Sequence, residues 1–248
     1  MEHAASWPQK TPTCASVANM TTGGLGPHLR SLADPESFWA EAAALIDWET
    51  PPSRVMDSTR APFTRWFPDG QLNTCANALD RHVARGRGES TALIHDSAYT
   101  GQVTTFTYSE LLQAVAVAAG ALRQLGVGKG DRVIIYLPMV PEAVIAMLAC
   151  ARLGAVHSVV FGGFASAELA ARIDDAQPRV IITASCGIEA GRVVAYKPLV
   201  DEARDLADHR VHACLVLQRP QLTADMGEDD VDWRQAMSAA APVAPVVV

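Results

Sequence analysis

The sequence predicts an α/β fold in which βαβ units build a parallel sheet, and three observations carry that expectation. Three short apolar, β-branched runs occur at Arg132 to Leu137, Val156 to Phe161 and Arg179 to Thr183. Two stretches of helical periodicity alternate with them, the pattern of strand, helix, strand, helix, strand. Parallel strands joined by right-handed crossovers point the same way, so their carboxyl ends share one edge. In open α/β sheets that edge is where ligands sit. Two loops are expected to leave it: Phe161-Gly162-Gly163-Phe164, and Ser185 to Arg192 with the segment Glu189-Ala190-Gly191-Arg192.

The first thirty residues read as an unstructured extension. They lack the apolar block of a secretory signal and carry only Lys10 and Arg30 as strong cations, which makes a poor mitochondrial presequence. Residues 31–90 read as a helical and extended segment. Asp34-Pro35-Glu36 opens a short helix, with proline and an acid at its positive end. Thr50 to Pro68 is dense in Pro and aromatic residues and is expected to be an extended strap, with Trp66 and Phe67 as packing residues. Leu72 to Val83 follows as a helix with Leu72, Ala76, Leu79 and Val83 on one stripe.

A third region, residues 91–248, carries the sheet. Thr91 to Ile94 and Gln102 to Thr107 read as a hairpin around a polar turn. Thr107-Tyr108-Ser109-Glu110 is a capping box, and Gly126 ends the helix that it starts. The helix from Pro141 to Leu153 is apolar almost all round and so needs cover on more than one side. Ser166 is the expected cap of the helix running to Ala176, which Pro178 stops. A helix from Leu199 to Ala207, a fourth strand from Val211 to Gln218 and a short helix around Trp233 complete the pattern. The apolar tail Ala241 to Val248 looks cut, a run that would be exposed and sticky on a finished domain.

Composition narrows the function. The formal net charge of −7 argues against nucleic acid, which wants a basic face. Five scattered cysteines form no CxxC pair and read as reduced thiols. The apolar stretch Val133 to Phe161 is broken by Pro138, Pro141, Glu142, Arg152 and Gly154, so a membrane span is not expected. His209 and His212 have no acid or cysteine cluster around them, and no metal site is expected there. These features point to the cytoplasm, the mitochondrial matrix being the alternative.

Two features bear on chemistry. The pair Gly162-Gly163 between a strand and a helix lets a ligand or another chain approach the backbone closely, and serves equally as a bare turn. Arg192 supplies the planar fork that clamps phosphate, and alone would equally be a surface arginine. A dinucleotide-dependent oxidoreductase is rejected, since Leu137-Pro138-Met139-Val140-Pro141-Glu142 follows the first strand in place of a glycine fingerprint.

The run YLPMVPEAVIAMLACARLGAVHSVVFGGF and the following ARIDDAQPRVIITASCGIEAGRVVAYKPLVDEA resemble the amino-terminal part of acetyl- and propionyl-coenzyme A synthetases. The likeness runs from about Leu32 to the end, includes RWFPDGQLNTCANALDRH, and at Cys186 to Arg192 leans to the propionyl type. It implies the large amino-terminal domain of adenylate-forming enzymes, incomplete in this chain. It also implies a reaction in which a short carboxylic acid and MgATP give an acyl-adenylate, whose acyl group passes to coenzyme A. Phe161, Gly162, Gly163, Phe164, Glu189, Ala190, Gly191 and Arg192 would lie along the coenzyme A site, with Arg192 on the 3′-phosphate. Acetyl-type members often carry arginine at the position of Glu189, so phosphate binding would rest more on Arg192. The resemblance puts the ATP phosphate loop, the magnesium segment and the acylating lysine after Val248. No catalytic or metal-binding residue is therefore expected in these 248 residues, which alone should be inactive. The alternative is a non-catalytic nucleotide-binding or subunit-interaction fragment, self-associating through an open sheet edge.

Overall fold

The computed structural model describes residues 26–163 and 165–248. The expectation for the extreme amino terminus therefore falls largely outside the described residues, as does Phe164. By contacts the chain divides into two compact units, Met1–Gly70 and Gln71–Val248.

In the first unit, helix α1 (Pro35–Ala43) starts as its sequence requires. Asp34 accepts a hydrogen bond from the Ser37 amide at 3.1 Å, and Pro35 occupies the first turn. The Pro- and aromatic-rich segment is more than the expected strap. Strands β1 (Met56–Asp57) and β2 (Arg65–Trp66) pair antiparallel. Its rings pack on one another and on nearby rings, with centroids 5.8 Å apart for Trp39 and Trp66 and 5.5 Å for Trp48 and Phe67. These contacts give the segment a small cluster of its own.

The second unit opens with helical residues 74–87, which contain wider turns at Ala76–Asp80 and Val83–Arg87. This helix starts later than its apolar stripe predicts, because Asn73 accepts the Ala76 amide at 3.0 Å and acts as its cap. Strands β3 (Thr91–Ser97) and β4 (Gln102–Thr107) form the expected hairpin. Helix α2 (Tyr108–Gln124) begins in the expected capping box between Thr107 and Glu110, and Gly126 turns the chain at φ +81°.

From there the chain alternates through β5 (Arg132–Tyr136), α3 (Pro141–Leu153), β6 (Val156–Val159), α4 (Ser166–Ala176) and β7 (Val180–Ala184). A hairpin, β8 (Cys186–Glu189) and β9 (Arg192–Ala195), interrupts the alternation. Helix α5 (Lys197–Leu206), β10 (Ala213–Leu217), β11 (Asp230–Asp232) and α6 (Trp233–Ala239) follow. Ser166 is not the cap of α4. Ala165 holds that position, and the Ser166 hydroxyl donates to Glu202 at 2.6 Å instead.

The five sheet strands are all parallel, in the order β11-β10-β7-β5-β6. Alternate residues feed two cores. Val133, Ile135, Val180, Ile182 and Leu215 face α2, α3 and α6. Ile134, Tyr136, Ile181 and Val216 face α4 and α5 through Leu169, Ile173 and Val200. Each fully buried aliphatic side chain contributes roughly 1.5–3 kcal/mol. Helix α3 receives the double cover that its all-round apolarity demands, from the sheet and from α2.

In the carboxyl-terminal tail Val246, Val247 and Val248 are exposed, as the composition suggests, while Val243 is buried and backbone bonds hold the segment in place. Val248 and Leu72 exchange backbone hydrogen bonds at 3.0 Å, and Val243 donates to the Ala116 carbonyl at 3.1 Å. Asn73 donates to the Val246 carbonyl at 2.7 Å, and Arg152 Nε to that of Val243 at 2.6 Å. Side-chain donors from Asn73, just before the helical residues 74–87, and from Arg152 of α3 thus stand in for a strand partner.

Candidate functional site

The strand order itself selects where a site should lie. From β5 the chain moves to β6 on one side and then back across to β7 on the other. The carboxyl ends of β5 and β7 therefore flank the point where the winding reverses, and connecting loops diverge there to leave a crevice.

A cavity of about 420 Å³ occupies that edge. Leu137, Pro138 and Met139 reach it from the end of β5, and Val160, Phe161 and Gly162 from the end of β6. Ile188, Glu189 and Ala190 line it from the β8–β9 hairpin, and Arg219 from just beyond β10. Tyr99 and Tyr196 close further sides. A cleft of about 390 Å³ between Asp201, Arg204 and Asp229 lies at the opposite edge, and its Arg204 is already paired with Asp229 and Asp230.

The glycine loop and the hairpin meet in this cavity. Gly163 stands at φ +98° and donates its amide to the Tyr136 hydroxyl at 3.1 Å. A Cβ built on Gly163 would lie 2.7 Å from Glu189 Oε2. A Cβ on Gly162, or on Gly187 of the hairpin, would overlap the phenol of Tyr196. Tyr196 thus lies under both elements, and its hydroxyl donates to Glu189 Oε1 at 2.7 Å. The Tyr136 and Tyr196 rings pack with centroids 5.0 Å apart. Burial, then the bond to Glu189, raises the pKa of Tyr196, and burial raises that of Tyr136. Both phenols are held neutral as hydrogen-bonding posts.

The segment Ser185 to Arg192, expected as a loop, is a hairpin. Ala190 at φ +47° and Gly191 at φ +75° form its two-residue turn, the left-handed pair that primed hairpin turns require. The register places Glu189 opposite Arg192. Glu189 and Ala190 line the cavity, whereas Arg192 is exposed and outside its lining. Phe161 stands at the mouth, 75% exposed.

Three contributors escaped the sequence reading. Tyr136 and Tyr196 are distinguishable only as polar tips within buried runs. Arg219 carried a readable signal, being the first charge after the apolar strand β10. Its amide donates to the Ser185 hydroxyl at 2.8 Å and its Nη1 to the Cys186 carbonyl at 2.9 Å.

The lining combines an apolar wall with one guanidinium, that of Arg219, a combination that fits coenzyme A in kind. Magnesium is different. Among the described residues no group of three or more His, Cys, Asp or Glu is placed to hold a metal ion. The four described cysteines, Cys75, Cys150, Cys186 and Cys214, are free and buried. Among the described residues no helix is long and apolar enough to cross a membrane.

Comparison with known families decides the relationship. The family model described as AMP-binding enzyme matches residues 79–247. The chain belongs to this family. The AMP-binding match is preceded by one to the acetyl-coenzyme A synthetase amino terminus over residues 28–78. Among relatives of this chain, an uncharacterised protein of Pseudomonas aeruginosa is 55% identical over 225 residues, covering 90% of the chain and 36% of that protein. The acyl-CoA synthetase short-chain family member 3, mitochondrial, of Mus musculus is 47% identical, covering 89% and 33% respectively. Propionate–CoA ligase of Escherichia coli is 46% identical, covering 87% and 35%. The solved acetoacetyl-CoA synthetase from Streptomyces lividans superposes with a TM-score of 0.79 at 29% identity, covering 89% of this chain and 34% of that one. The chain thus spans about a third of the length of each.

Proposed function

We propose that this chain is the amino-terminal part of a short-chain acyl-CoA synthetase, of the propionyl or acetyl type. In the parent reaction a short carboxylate attacks the α-phosphorus of ATP, giving an acyl-adenylate and releasing pyrophosphate. The thiol of coenzyme A then attacks the acyl carbonyl, AMP departs and a thioester results. Within this reading Phe161, Gly162, Gly163 and Phe164 with Glu189, Ala190, Gly191 and Arg192 form part of the coenzyme A site. The close approach of Gly163 to Glu189, which lines the cavity, carries it, because it joins the two segments on one sheet edge. On this reading Arg192, exposed at the start of β9, meets the terminal 3′-phosphate from outside the cavity.

Adenylation needs donors and metal directed at the α-phosphate. On this reading those groups, with the sites for ATP and Mg2+, belong to the two thirds of the relatives that this chain does not span. The 248 residues alone then bind coenzyme A without turnover. Two measurements test this. Calorimetric titration should detect coenzyme A, and detect 3′-dephospho-coenzyme A more weakly. Exchange of labelled pyrophosphate into ATP, with propionate or acetate present, should stay at background. Binding that ignores the 3′-phosphate would remove Arg192 from the site, and exchange above background would refute the inactivity.

A second reading, a subunit-interaction fragment, is favoured by the edge strand β6, whose Val156 and Val159 are exposed. Its partner would be a second copy paired edge to edge. A monomer by sedimentation at high concentration removes it.

A further inference from the structure

We infer that Arg219 is an anion-contact residue inside the cavity, meeting the pyrophosphate of the phosphorylated thiol carrier that the preceding reading places there. The inference rests on that reading and names a residue that it does not use. Arg219 follows β10, so it shares the ligand-facing edge of the sheet with the ends of β5 and β6. It lines the same cavity as Gly162 and Glu189, which Arg192 does not.

Its position is fixed in advance. The main-chain amide is held by the Ser185 hydroxyl, and Ser185 is held in turn by the Leu217 carbonyl at 2.9 Å. One guanidinium nitrogen is tied to the Cys186 carbonyl at the root of the hairpin. This guanidinium partner is a carbonyl, so the positive charge is oriented without being neutralised by it. A guanidinium has five N–H donors in a rigid fork, and the bond to Cys186 uses one. The carboxylate on the same wall, Glu189, has Oε1 engaged by Tyr196. Tyr196 lines the same cavity as Arg219.

The cavity therefore has two poles. A ligand group bearing negative charge is drawn toward Arg219 and repelled by Glu189, while the apolar wall of Leu137, Val160 and Ile188 accepts uncharged chain. A pantetheine arm joined to a pyrophosphate has that character. A partly desolvated, pre-oriented guanidinium favours such a group more than a mobile surface cation does.

The test is calorimetric titration of the 248-residue chain and its Arg219→Gln, Arg219→Lys and Arg192→Gln variants with coenzyme A, 3′-dephospho-coenzyme A and pantetheine. Arg219→Gln should weaken both nucleotide ligands about tenfold or more, since a charge-assisted bond is lost. Pantetheine, which has no phosphate, should bind it as it binds the parent. Arg219→Lys should retain part of the affinity, and Arg192→Gln should weaken coenzyme A alone. Equal affinity of Arg219→Gln and parent for coenzyme A overturns the inference, as does a loss that extends equally to pantetheine. If the parent binds no coenzyme A, the underlying reading fails and this one with it. If the parent binds and Arg219→Gln binds equally, only the present inference falls.

Discussion

Gly163 approaches Glu189 so closely that a methyl group on the glycine would sit 2.7 Å from the carboxylate. The glycine loop and the hairpin are therefore one structural unit, with Tyr196 wedged beneath both. The two glycines of the loop are required for different reasons, and their substitutions should separate.

At Gly162 an added methyl meets the Tyr196 ring, which is 2% exposed and cannot retreat. Gly162→Ala should cost about 1–3 kcal/mol through overpacking. At Gly163 the obstacle is the backbone, φ +98°, with a carboxylate tip that can swing aside at the expense of its bond. Gly163→Ala should cost about 1–2 kcal/mol in strain. Gly191→Ala meets no atom within 4 Å and should lose only about 1 kcal/mol at φ +75°. Urea unfolding checks the order. A cost for Gly191→Ala above that for Gly162→Ala would contradict the packing described.

Tyr196→Phe keeps the ring under the loop and deletes its bond to Glu189. The expected loss of stability is about 0.5–1.5 kcal/mol, as for a single hydrogen bond. Coenzyme A affinity should fall further than that of a distant variant of equal stability, because Glu189 is released into the cavity. Matched unfolding and titration curves decide between the two effects.

Arg152 is a buried post for the tail. It forms a forked ion pair with Asp80, at 2.8 and 3.1 Å, and donates to the Val243 carbonyl. Arg152→Met removes the cation and leaves both acceptors behind, at a cost of about 3 kcal/mol. Limited proteolysis should then cut within 241–248 where the parent resists. Unchanged stability and an intact tail would show that the tail is held by other contacts.

Stability should fall at alkaline pH, and the sign follows from raised pKa values. Burial pushes the thiols of Cys150 and Cys214 up to about 12, and raises the phenols of Tyr136 and Tyr196. A group whose pKa is higher in the folded state contributes fully below its unfolded pKa and loses that contribution as pH climbs to the folded one. The thiols titrate in the unfolded chain from about pH 8.5 and the phenols from about 10. The denaturant midpoint should therefore decline between about pH 9 and 12, and less steeply in Cys214→Ala. A flat midpoint across that window would contradict the burial of these groups.

Much of the sheet was legible because its strands alternate with helices in a simple period. The helix Pro141–Leu153 matches its expected bounds, and the Thr107 capping box is present as read. The β8–β9 hairpin was missed because Ala190-Gly191 lacks the Asn-Gly or Asp-Gly signature of primed turns, and Ala190 adopts a φ that alanine rarely takes. The docking of the tail was not readable from its composition. It depends on Asn73, Lys129 and Arg152, donors far away in sequence. Gly162 and Glu189 stand at the one sheet edge where the sequence puts their two segments. The tyrosines under them and Arg219 belong to a juxtaposition that only the folded order of strands creates.

On the proposed function, the Gly162–Gly163 loop and the Glu189–Arg192 hairpin together receive coenzyme A. Amide hydrogen exchange of the 248-residue chain with and without coenzyme A tests it most directly. Slowed exchange should concentrate in residues 161–163 and 187–192. Unchanged exchange in both segments at saturating ligand, or protection confined to the opposite edge around Asp201 and Asp229, would contradict it.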